Sequence, residues 1–444
     1  MNKKIMVFII NLLVMCLFVS CGEKPYKPVV SQTQFDAANQ PISPIPAFSE
    51  EESGIVTGTT TEKPVISTRL PEVTTKVEPS DEARISVLAV GDNIPHDSVI
   101  QTAKDDASGN AKYDFSKIYA GIANEIKTAD IAFINQESPV GGADLGISGY
   151  PNFNAPKEMI EELINVGFDV FNIANNHMLD KKEIGYKNTV EYFNSLPITM
   201  IGGYTKSDYD NIRIVEKQGI KVAFLSYTDI INEGHKNDIS GSSEYIIPYA
   251  KDADIKRQIA LANERADVVI VSMHWGAEGN FGVTNRQKLL AKLCADEGAD
   301  VVLGHHPHVV GDVEWINGAS GNKTLVAYSL GNFCSSQLYA KNMVGEMLTF
   351  DIVKGNDGTS SVENVIVSPV VCHYKTDRSK KDNQNLHVRY EVRMYMMSEY
   401  TEDLANSHGA QNWGAFTFAT LKRYITGDDS YASVGKEFLP NYMH

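Results

Sequence analysis

The sequence predicts an α/β protein in which largely parallel β-sheets are flanked by helices. Between about residues 84 and 330, short runs rich in β-branched residues alternate with stretches whose apolar residues recur at helical spacing. These runs are almost continuously apolar, which is typical of strands buried on both faces of a parallel sheet. A hydrophobic content of 43% over 444 residues is enough to build a sizeable core around such sheets.

The elements follow from this alternation in chain order. Strands are predicted at residues 85–92, 131–137, 170–174, 221–226, 268–273, 301–303 and 325–330. Helices are predicted at residues 156–166 and 285–297, and Gly167 and Gly298 follow them directly, as glycine often does at a helix end. Strand-like runs at 347–353 and 362–371 are expected to complete the sheets of one domain, residues 84–372. Residues 373–444 are predicted to be a C-terminal extension with a helix near residues 413–424.

The N-terminus has the features of an export signal. Lys3 and Lys4 precede an apolar run of about 15 residues, which suits a signal peptide and is short for a membrane span. Ser20 precedes Cys21, and a small residue before a cysteine resembles a lipobox. Residues 1–20 are therefore predicted to be a signal peptide, with lipidation at Cys21. The alternative is an uncleaved signal anchor, and both interpretations export the protein to the extracytoplasmic face of the membrane.

Residues 21–83 differ in composition from the rest of the chain. Eight of the 17 prolines fall here, among Ser, Thr and Glu and without sustained periodicity. Such a segment buries too little apolar surface to offset the entropy of ordering it. It is predicted to be a disordered tether between the lipid anchor and the folded domain.

Charge and cysteine content exclude some classes of protein. The formal net charge of -16 argues against a nucleic acid partner, because phosphate backbones are bound by clustered Lys and Arg. Beyond the export segment the cysteines are Cys294, Cys334 and Cys372, which are odd in number and widely spaced, so they imply no disulfide framework.

Potential metal ligands follow nearly every predicted strand. They are Asp92, Glu137, the run Asn175-Asn176-His177, His274, and the run His305-His306-Pro307-His308. In an open α/β sheet, ligands bind at the carboxyl ends of the strands, so these side chains are expected to converge. His306 and His308 are two residues apart and would point the same way in an extended segment.

The chemistry of this set favours a divalent transition metal. Imidazole together with carboxylate and amide oxygen suits Mn, Zn or Fe, whereas calcium takes oxygen ligands. Each feature alone has a plainer interpretation, since a single histidine is more often packed in a core and an aspartate at a strand end often caps a helix. The ordered series of such residues predicts a site for one or two ions.

Six ordered motifs resemble a known family. They are Gly91-Asp92, Asn135-Gln136-Glu137, the segment from Asn175 to Asp180, the segment from His274 to Glu278, Gly304-His305-His306-Pro307-His308, and Tyr328-Ser329-Leu330-Gly331-Asn332-Phe333. Over residues 85–337 the chain resembles the bacterial capsule-synthesis family, the CapA-like proteins of poly-γ-glutamate capsules. The domain of that family is similar to calcineurin-like metallophosphoesterases. The resemblance implies a metallophosphatase-like α/β sandwich.

The first motif departs from the family, which often has an arginine after the Gly-Asp pair. Here the chain reads Asn93-Ile94-Pro95-His96-Asp97. His96 either replaces a metal ligand or caps the following helix, and the sequence leaves both alternatives open.

The resemblance also implies roles for individual residues. It implies metal ligation by Asp92, Glu137, Asn176, His274, His306 and His308, with Glu137 or Asn176 bridging two ions. His177 would be a general acid whose ring is oriented by Asp180, although Asp180 is equally suited to cap a helix at residues 181–196. Trp275 and Glu278 would line the cleft, and Asn332 would serve either a turn or the substrate.

Two functions are compatible with these residues. The first is a metal-dependent hydrolase, phosphoesterase-like, that acts in the envelope on capsule polymer or its precursor. The second is a non-catalytic polymer-binding component of a capsule synthesis or export complex, because one fold can host many functions. The implied partners are the membrane, through the lipid anchor, the capsule polymer or its precursor, and other capsule synthesis proteins.

Overall fold

The computed structural model describes residues 82–427 and 434–443. The predicted signal peptide, Cys21 and residues 21–81 of the predicted tether lie outside these residues. Ala83, where the tether was expected to end, is the first residue of the first strand. Among the helices in the described ranges, none combines the length and the apolar character needed to cross a membrane.

Strands and α-helices alternate up to residue 201 and again between residues 252 and 305, and strands dominate the chain between residues 199 and 246 and between residues 313 and 396. The strands are β1 (Ala83–Asn93), β2 (Ile131–Gln136), β3 (Val170–Asn172), β4 (Thr199–Ile201), β5 (Tyr204–Thr205), β6 (Arg213–Lys217), β7 (Ile220–Thr228), β8 (Tyr245–Ile246), β9 (Val268–His274), β10 (Val301–His305), β11 (Val313–Asn317), β12 (Lys323–Ala327), β13 (Asn332–Cys334), β14 (Val344–Lys354), β15 (Ser360–Lys381) and β16 (His387–Met396). The α-helices are α1 (Asp97–Asp106), α2 (Ser116–Tyr119), α3 (Ala123–Lys127), α4 (Lys157–Asn165), α5 (Lys182–Asn194), α6 (Asp252–Asn263), α7 (Asn285–Asp296), α8 (Glu402–Ser407) and α9 (Phe418–Thr426).

Two mixed sheets contain most of these strands. The first sheet has the order β16-β15-β14-β1-β2-β3-β4, with the short β13 beside the end of β1, and the second has the order β11-β12-β10-β9-β7-β6. Strands β1 to β4 are parallel, as are β7, β9, β10 and β12. Antiparallel pairing is confined to β14, β15 and β16 in the first sheet and to the edge strands β6 and β11 in the second. The predicted α/β class, with parallel strands and flanking helices, is confirmed.

The second sheet is buried on both faces, as its continuous hydrophobicity predicted. Along β9, Val268 and Ile270 belong to the main core, whereas Val269 and Val271 belong to a smaller core. The smaller core also contains Ile259 of α6 and other apolar residues of α6 and α7. Because successive side chains of a strand point to opposite faces, β9 joins the two cores. Packing on both faces therefore fixes the position of β9 and of the residue that ends it, His274.

The later strands extend the first sheet rather than forming a separate layer. β15 continues without interruption through Cys372 and His373, where the boundary of the C-terminal extension was predicted. β16 pairs with β15 and forms the edge of the same sheet. Further on, α9 occupies Phe418–Thr426, close to the helix predicted near residues 413–424.

Candidate metal centre

The predicted ligands converge at one edge of the two sheets. Asp92, near the end of β1, lies beside Asn135 of β2 and Asn332 of β13 in the strand pairing. His274 ends β9 and lies beside His305, which ends β10. Parallel strands bring their carboxyl ends to the same edge, which is why Asp92 and His308 come into contact although 216 positions separate them.

Asp92 is a fully buried acceptor at the centre of this edge. The His308 Nδ1 lies 3.0 Å from the Asp92 Oδ2, and the backbone N–H of His306 donates to the same oxygen at 3.2 Å. Asn135 donates its Nδ2 to the other oxygen, Oδ1, at 2.8 Å, and the His305 Nδ1 lies 3.3 Å from that oxygen. The Asp92 carboxylate therefore faces the site and also holds the loop that follows β10, which carries His306 and His308.

Glu137 lies between two groups of candidate ligands. Its Oε1 is 3.8 Å from the His274 Nε2 and 3.5 Å from the His308 Nε2. In each of the groups Glu137/His274/His306 and Asp92/Glu137/His308, one ligand atom per residue lies within 4.8 Å of the others. Glu137 is thus common to both, and its buried Oε1 has no hydrogen-bond partner in the part of the chain that is described.

The loop that carries His306 and His308 is not extended, contrary to the prediction. His306 has φ 96° and His308 has φ 57°, so both backbones lie in the left-handed region, which is uncommon for residues other than glycine. Their ring centroids are nevertheless 5.9 Å apart, and the His306 ring lies 4.9 Å from that of His274. Backbone strain of this kind clusters at functional sites.

The pKa values of the two carboxylates of the centre are shifted in opposite directions. Burial opposes ionisation of Asp92, but hydrogen bonds from His305 and His308 outweigh it and hold the pKa of Asp92 well below its ordinary value. Burial, followed by the negative charge of Asp92, raises the pKa of Glu137 well above its ordinary value. Two carboxylates so close together in a dry site cannot both ionise without a compensating cation.

The pKa values of the histidines are also shifted in opposite directions. Burial, and then the charge on His308, lower the pKa of His306 to about 4, and burial also lowers the pKa of His274 well below its ordinary value. For His308, burial alone would lower the pKa, but Glu137 and Asp92 raise it to about 10. Neutral imidazoles on His274 and His306 are the form that binds a metal.

The donor set fits a divalent transition-metal ion. It combines imidazole nitrogens with buried carboxylate oxygens, and a cation would satisfy the Glu137 Oε1, which lacks a hydrogen-bond partner among the described atoms. Asn176 joins the same edge, because the His274 Nε2 lies 2.9 Å from its Oδ1. Binding would displace the proton from His308 and allow Glu137 to ionise.

His177 and Asp180 form a hydrogen-bonded pair beside this centre. The His177 Nδ1 is 2.7 Å from the Asp180 Oδ2, which also accepts the backbone N–H of Phe153 at 2.8 Å. Asp180 does not cap a helix, since Lys181 is at the N-cap position of α5. Asn232 links the pair to the ligands, because its Nδ2 lies 3.2 Å from the His177 Nδ1 and its Oδ1 accepts from Asn176 at 3.0 Å.

Tyr150 marks the mouth of the site next to this pair. The residue is 53% exposed, and its ring centroid lies 6.2 Å from that of Phe153, whose ring centroid lies 4.7 Å from that of His177. Burial, followed by the negative charges of Glu278 and Asp180, raises the pKa of Tyr150. Glu278 itself is exposed, and its carboxylate lies within 4.8 Å of ligand atoms of His306 and His308.

Trp275 is not at the cleft, contrary to the expectation that it lines it. It is fully buried in the smaller core, where its Nε1 donates to the Tyr328 carbonyl oxygen at 2.9 Å. The reason is the alternation of side chains at the end of β9: His274 faces the centre, so the next residue points to the opposite face.

His96 and Asn332 have surroundings that the sequence did not resolve. The His96 Nδ1 accepts the backbone N–H of Ser336 at 3.3 Å, and its side chain makes no capping hydrogen bond to α1, although it is at the N-cap position. Among the described residues, it is in none of the three candidate ligand groups. The Asn332 Oδ1 lies 3.1 Å from the His308 Nδ1, and its Nδ2 donates to Gln337 and Asn342, so this side chain is engaged in holding His308.

The sequence placed His305 in a run of potential ligands and Asn135 in a motif without giving either a role of its own, and it did not select Asn232 or Tyr150. For His305 a signal was present, because it ends β10 directly before the predicted ligand His306. Asn135 is two residues before Glu137, which is the spacing that places side chains on the same face of a strand. Asn232 and Tyr150 lie in loops, where no periodicity indicates which way a side chain points.

Comparison with known proteins identifies relatives of this chain. The sequence profile of the family described as bacterial capsule synthesis protein PGA_cap matches residues 86–337. The PGA biosynthesis protein CapA of Bacillus subtilis (strain 168) is 33% identical over 232 residues, covering 51% of this chain and 57% of that protein. The capsule biosynthesis protein CapA of Bacillus anthracis is 28% identical over 268 residues, covering 57% of this chain and 62% of that protein. The chain thus spans about 60% of the length of these curated relatives.

Among solved structures, the NAD nucleotidase (NadN) of Haemophilus influenzae aligns with a TM-score of 0.39 and 14% identity, covering 70% of this chain and 54% of that chain. The profile match over residues 86–337 spans more than half of the chain and contains all six motifs noted in the sequence. The chain belongs to the bacterial capsule synthesis protein (PGA_cap) family.

Proposed function

We propose that this protein is a metal-dependent hydrolase of the phosphoesterase type that acts on capsule polymer, poly-γ-glutamate, or its precursor. The observation that carries the proposal is the position of Glu137, which is common to two groups of candidate ligands at the strand ends. Such an arrangement is suited to two ions. A two-metal site supplies an activated water and clamps the attacking and leaving oxygens of a displacement reaction.

The residues of this chain would hold Mn, Zn or Fe in two sets. Glu137, His274 and His306 would bind one ion, with Asn176 close to His274. Asp92, Glu137 and His308 would bind a second. His305 and Asn332 would orient the ligands Asp92 and His308, as hydrogen-bond partners of metal ligands commonly do.

His177 is the proposed general acid. Its Nδ1 is engaged by Asp180 at 2.7 Å, which leaves the Nε2 as the ring atom that can meet a substrate. Asp180 is itself held by the Phe153 backbone N–H, so the orientation of the imidazole is fixed before substrate arrives. The His177 Nε2 would donate a proton to the leaving oxygen, while exposed Glu278 and Tyr150 would contact the substrate at the mouth.

The test combines metal content with turnover. Purified wild type, assayed with added Mn²⁺ or Zn²⁺ against a panel of phosphoesters and γ-glutamyl substrates, should turn over at least one of them. His177→Ala should retain metal but lose about 10²–10⁴-fold in turnover. His387→Ala, on the edge strand β16, is the control and should match wild type. Metal without turnover, together with capsule production by cells carrying His177→Ala, would favour the non-catalytic polymer-binding role.

We also propose that the chain is anchored to the envelope through Cys21. The support is the charged start, the short apolar run and the Ser20-Cys21 pair in the sequence. Mass spectrometry of the native N-terminus should find a lipidated Cys21 as the first residue. An intact Met1 end would reject this proposal, and membrane retention of Cys21→Ser would indicate an uncleaved anchor.

A further inference from the structure

Two buried cysteines meet beside the candidate metal centre. Cys334 ends β13, Cys372 lies in β15, and both are fully buried. Ser335, directly after Cys334, donates its backbone N–H to the Cys372 Sγ at 3.4 Å, and the Cys372 thiol donates to the Ser335 carbonyl oxygen at 2.9 Å. The side chain of Cys372 is thus held against the backbone next to Cys334, although 38 positions separate the two in the sequence.

The two thiols also contact each other. Their mutual hydrogen bond, followed by burial, raises the pKa of Cys334 well above its ordinary value. Disulfide exchange requires a thiolate and access to the oxidant; the raised pKa of Cys334 disfavours its thiolate, and the burial of both cysteines limits access. Oxidation is therefore expected while β13 and β15 come together during folding, before the core closes over the sulfur atoms.

We propose that Cys334 and Cys372 are a disulfide-forming pair that, when oxidised, ties β13 to β15. The oxidant is a low-molecular-weight or protein disulfide, with oxidised glutathione as the simplest example. The thiolate of one cysteine attacks a sulfur of the oxidant, which releases one thiol and leaves a mixed disulfide. The thiolate of the second cysteine then attacks the first cysteine's sulfur and releases the second thiol.

The balance is two protein thiols oxidised to one disulfide and one external disulfide reduced to two thiols. The export proposed above would expose the folding chain to a compartment in which such oxidants persist. The chemistry can be tested without assuming that location.

The disulfide would constrain residues 332–337, a segment that contacts the candidate metal centre. Asn332, at the start of β13, lies 3.1 Å from the His308 Nδ1, and its Nδ2 donates to Gln337 at 3.0 Å. Ser336, in the same segment, donates its backbone N–H to His96. A disulfide at Cys334 would hold the middle of this segment to the long strand β15.

The test uses the full-length chain, folded in a buffer of reduced and oxidised glutathione. Remaining thiols are alkylated after denaturation, and the chain is digested with trypsin without reduction. Trypsin cleaves after Lys341 and Lys354, which separates the two cysteines. Mass spectrometry should find the two peptides linked, lighter by two hydrogen atoms than their sum. Cys294, in the smaller core on α7, is the matched control and should be alkylated.

Variants give a second readout. Reduction should lower the melting temperature of the oxidised wild type and of Cys294→Ser, whereas Cys334→Ser and Cys372→Ser should not respond. Alkylation of Cys334 and Cys372 as complete as that of Cys294 in the wild type would overturn the proposal. A link from either cysteine to a different one would overturn it as well.

Discussion

Histidines cluster in two regions of this protein, with different surroundings. In the strand-end cluster (His274, His306 and His308), the rings lie around the buried carboxylates Asp92 and Glu137. In the C-terminal cluster (His373 and His408), the ring centroids are 4.8 Å apart, and the neighbours are aromatic rings and backbone groups. Both clusters are buried, so burial and histidine content do not distinguish a metal centre from a structural core.

The hydrogen bonds distinguish the two clusters. The His408 Nδ1 accepts the backbone N–H of Ala410 at 2.8 Å, and its Nε2 lies 3.0 Å from the Cys372 carbonyl oxygen, to which it donates. The His373 Nδ1 lies 2.7 Å from the Tyr400 hydroxyl oxygen. Both His408 nitrogens are therefore used by neutral partners, whereas the strand-end rings face carboxylates. Carboxylate neighbours, rather than histidine density, indicate where a cation would bind.

The largest expected difference between the clusters is in metal content. His306→Ala should reduce the amount of bound metal, because it removes one of the imidazoles that would coordinate the ion held with Glu137 and His274. His408→Ala should retain the wild-type metal content in the folded protein. Elemental analysis of both purified variants beside wild type makes the comparison. Equal metal content in all three would remove the distinction and the proposed centre with it.

The next effect is on stability and concerns the C-terminal cluster. His408 is buried, and its ring stacks on Phe416 with the centroids 3.8 Å apart. We expect His408→Ala to lower the free energy of unfolding by about 2–4 kcal/mol, through lost packing and an unsatisfied Ala410 N–H. His387→Ala, half-buried on β16, should change it by less than about 0.5 kcal/mol. Urea denaturation measures both, and similar losses for the two would contradict the structural role of His408.

A smaller effect on metal binding should come from the residue that holds His308. Asn332→Ala removes the hydrogen bond at 3.1 Å to the His308 Nδ1 but no candidate ligand. We expect metal affinity to fall by about 10–100-fold, as is typical when a partner that orients a ligand is lost. Metal titration in competition with a chelator gives the affinity. Asn322→Ala, outside the centre, should leave it unchanged, and a null result for Asn332→Ala would assign that side chain to the turn alone.

The smallest effect is the pH dependence of stability. Burial lowers the pKa of His373 to about 4 and, together with the charge of His373, that of His408 to about 3. Below the ordinary value near 6.5, the unfolded chain therefore binds protons that the folded chain does not. The free energy of unfolding should fall as the pH falls, by on the order of 1–2 kcal/mol per histidine between pH 6.5 and 5.

Thermal denaturation of wild type and His408→Gln at several pH values tests this. The variant should lose part of the slope between pH 6.5 and 5, and identical slopes would contradict the assignment. In the metal-free protein, the contribution of His308 to the pH dependence of stability has the opposite sign, because its pKa is raised to about 10. The stability that it contributes is present below its unfolded pKa and is lost as the pH rises toward 10, so His308 responds in the opposite direction to His373 and His408.

The sequence by itself determined the α/β class and indicated that most candidate ligands converge at one edge of the sheets. Parallel strands expose their carboxyl ends at one edge, so Asp92, Glu137 and His274 could be brought together from their positions alone. The same period of two, applied to the residue after His274, would have placed Trp275 in the core. Features that follow from the local periodicity of strands could therefore be predicted, and these include the sheet edge at which most of the candidate ligands lie.

Only the tertiary structure decided which neighbours complete the centre. Asn232 and Tyr150 lie in loops, whose side-chain directions depend on contacts far away in the chain rather than on a repeating backbone geometry. The meeting of Cys334 with Cys372 depends on β15 running beside β13, and the engagement of Asn332 with His308 depends on β13 pairing with β1. Such pairings are set by packing of the whole core, for which spacing along the chain carries no signal.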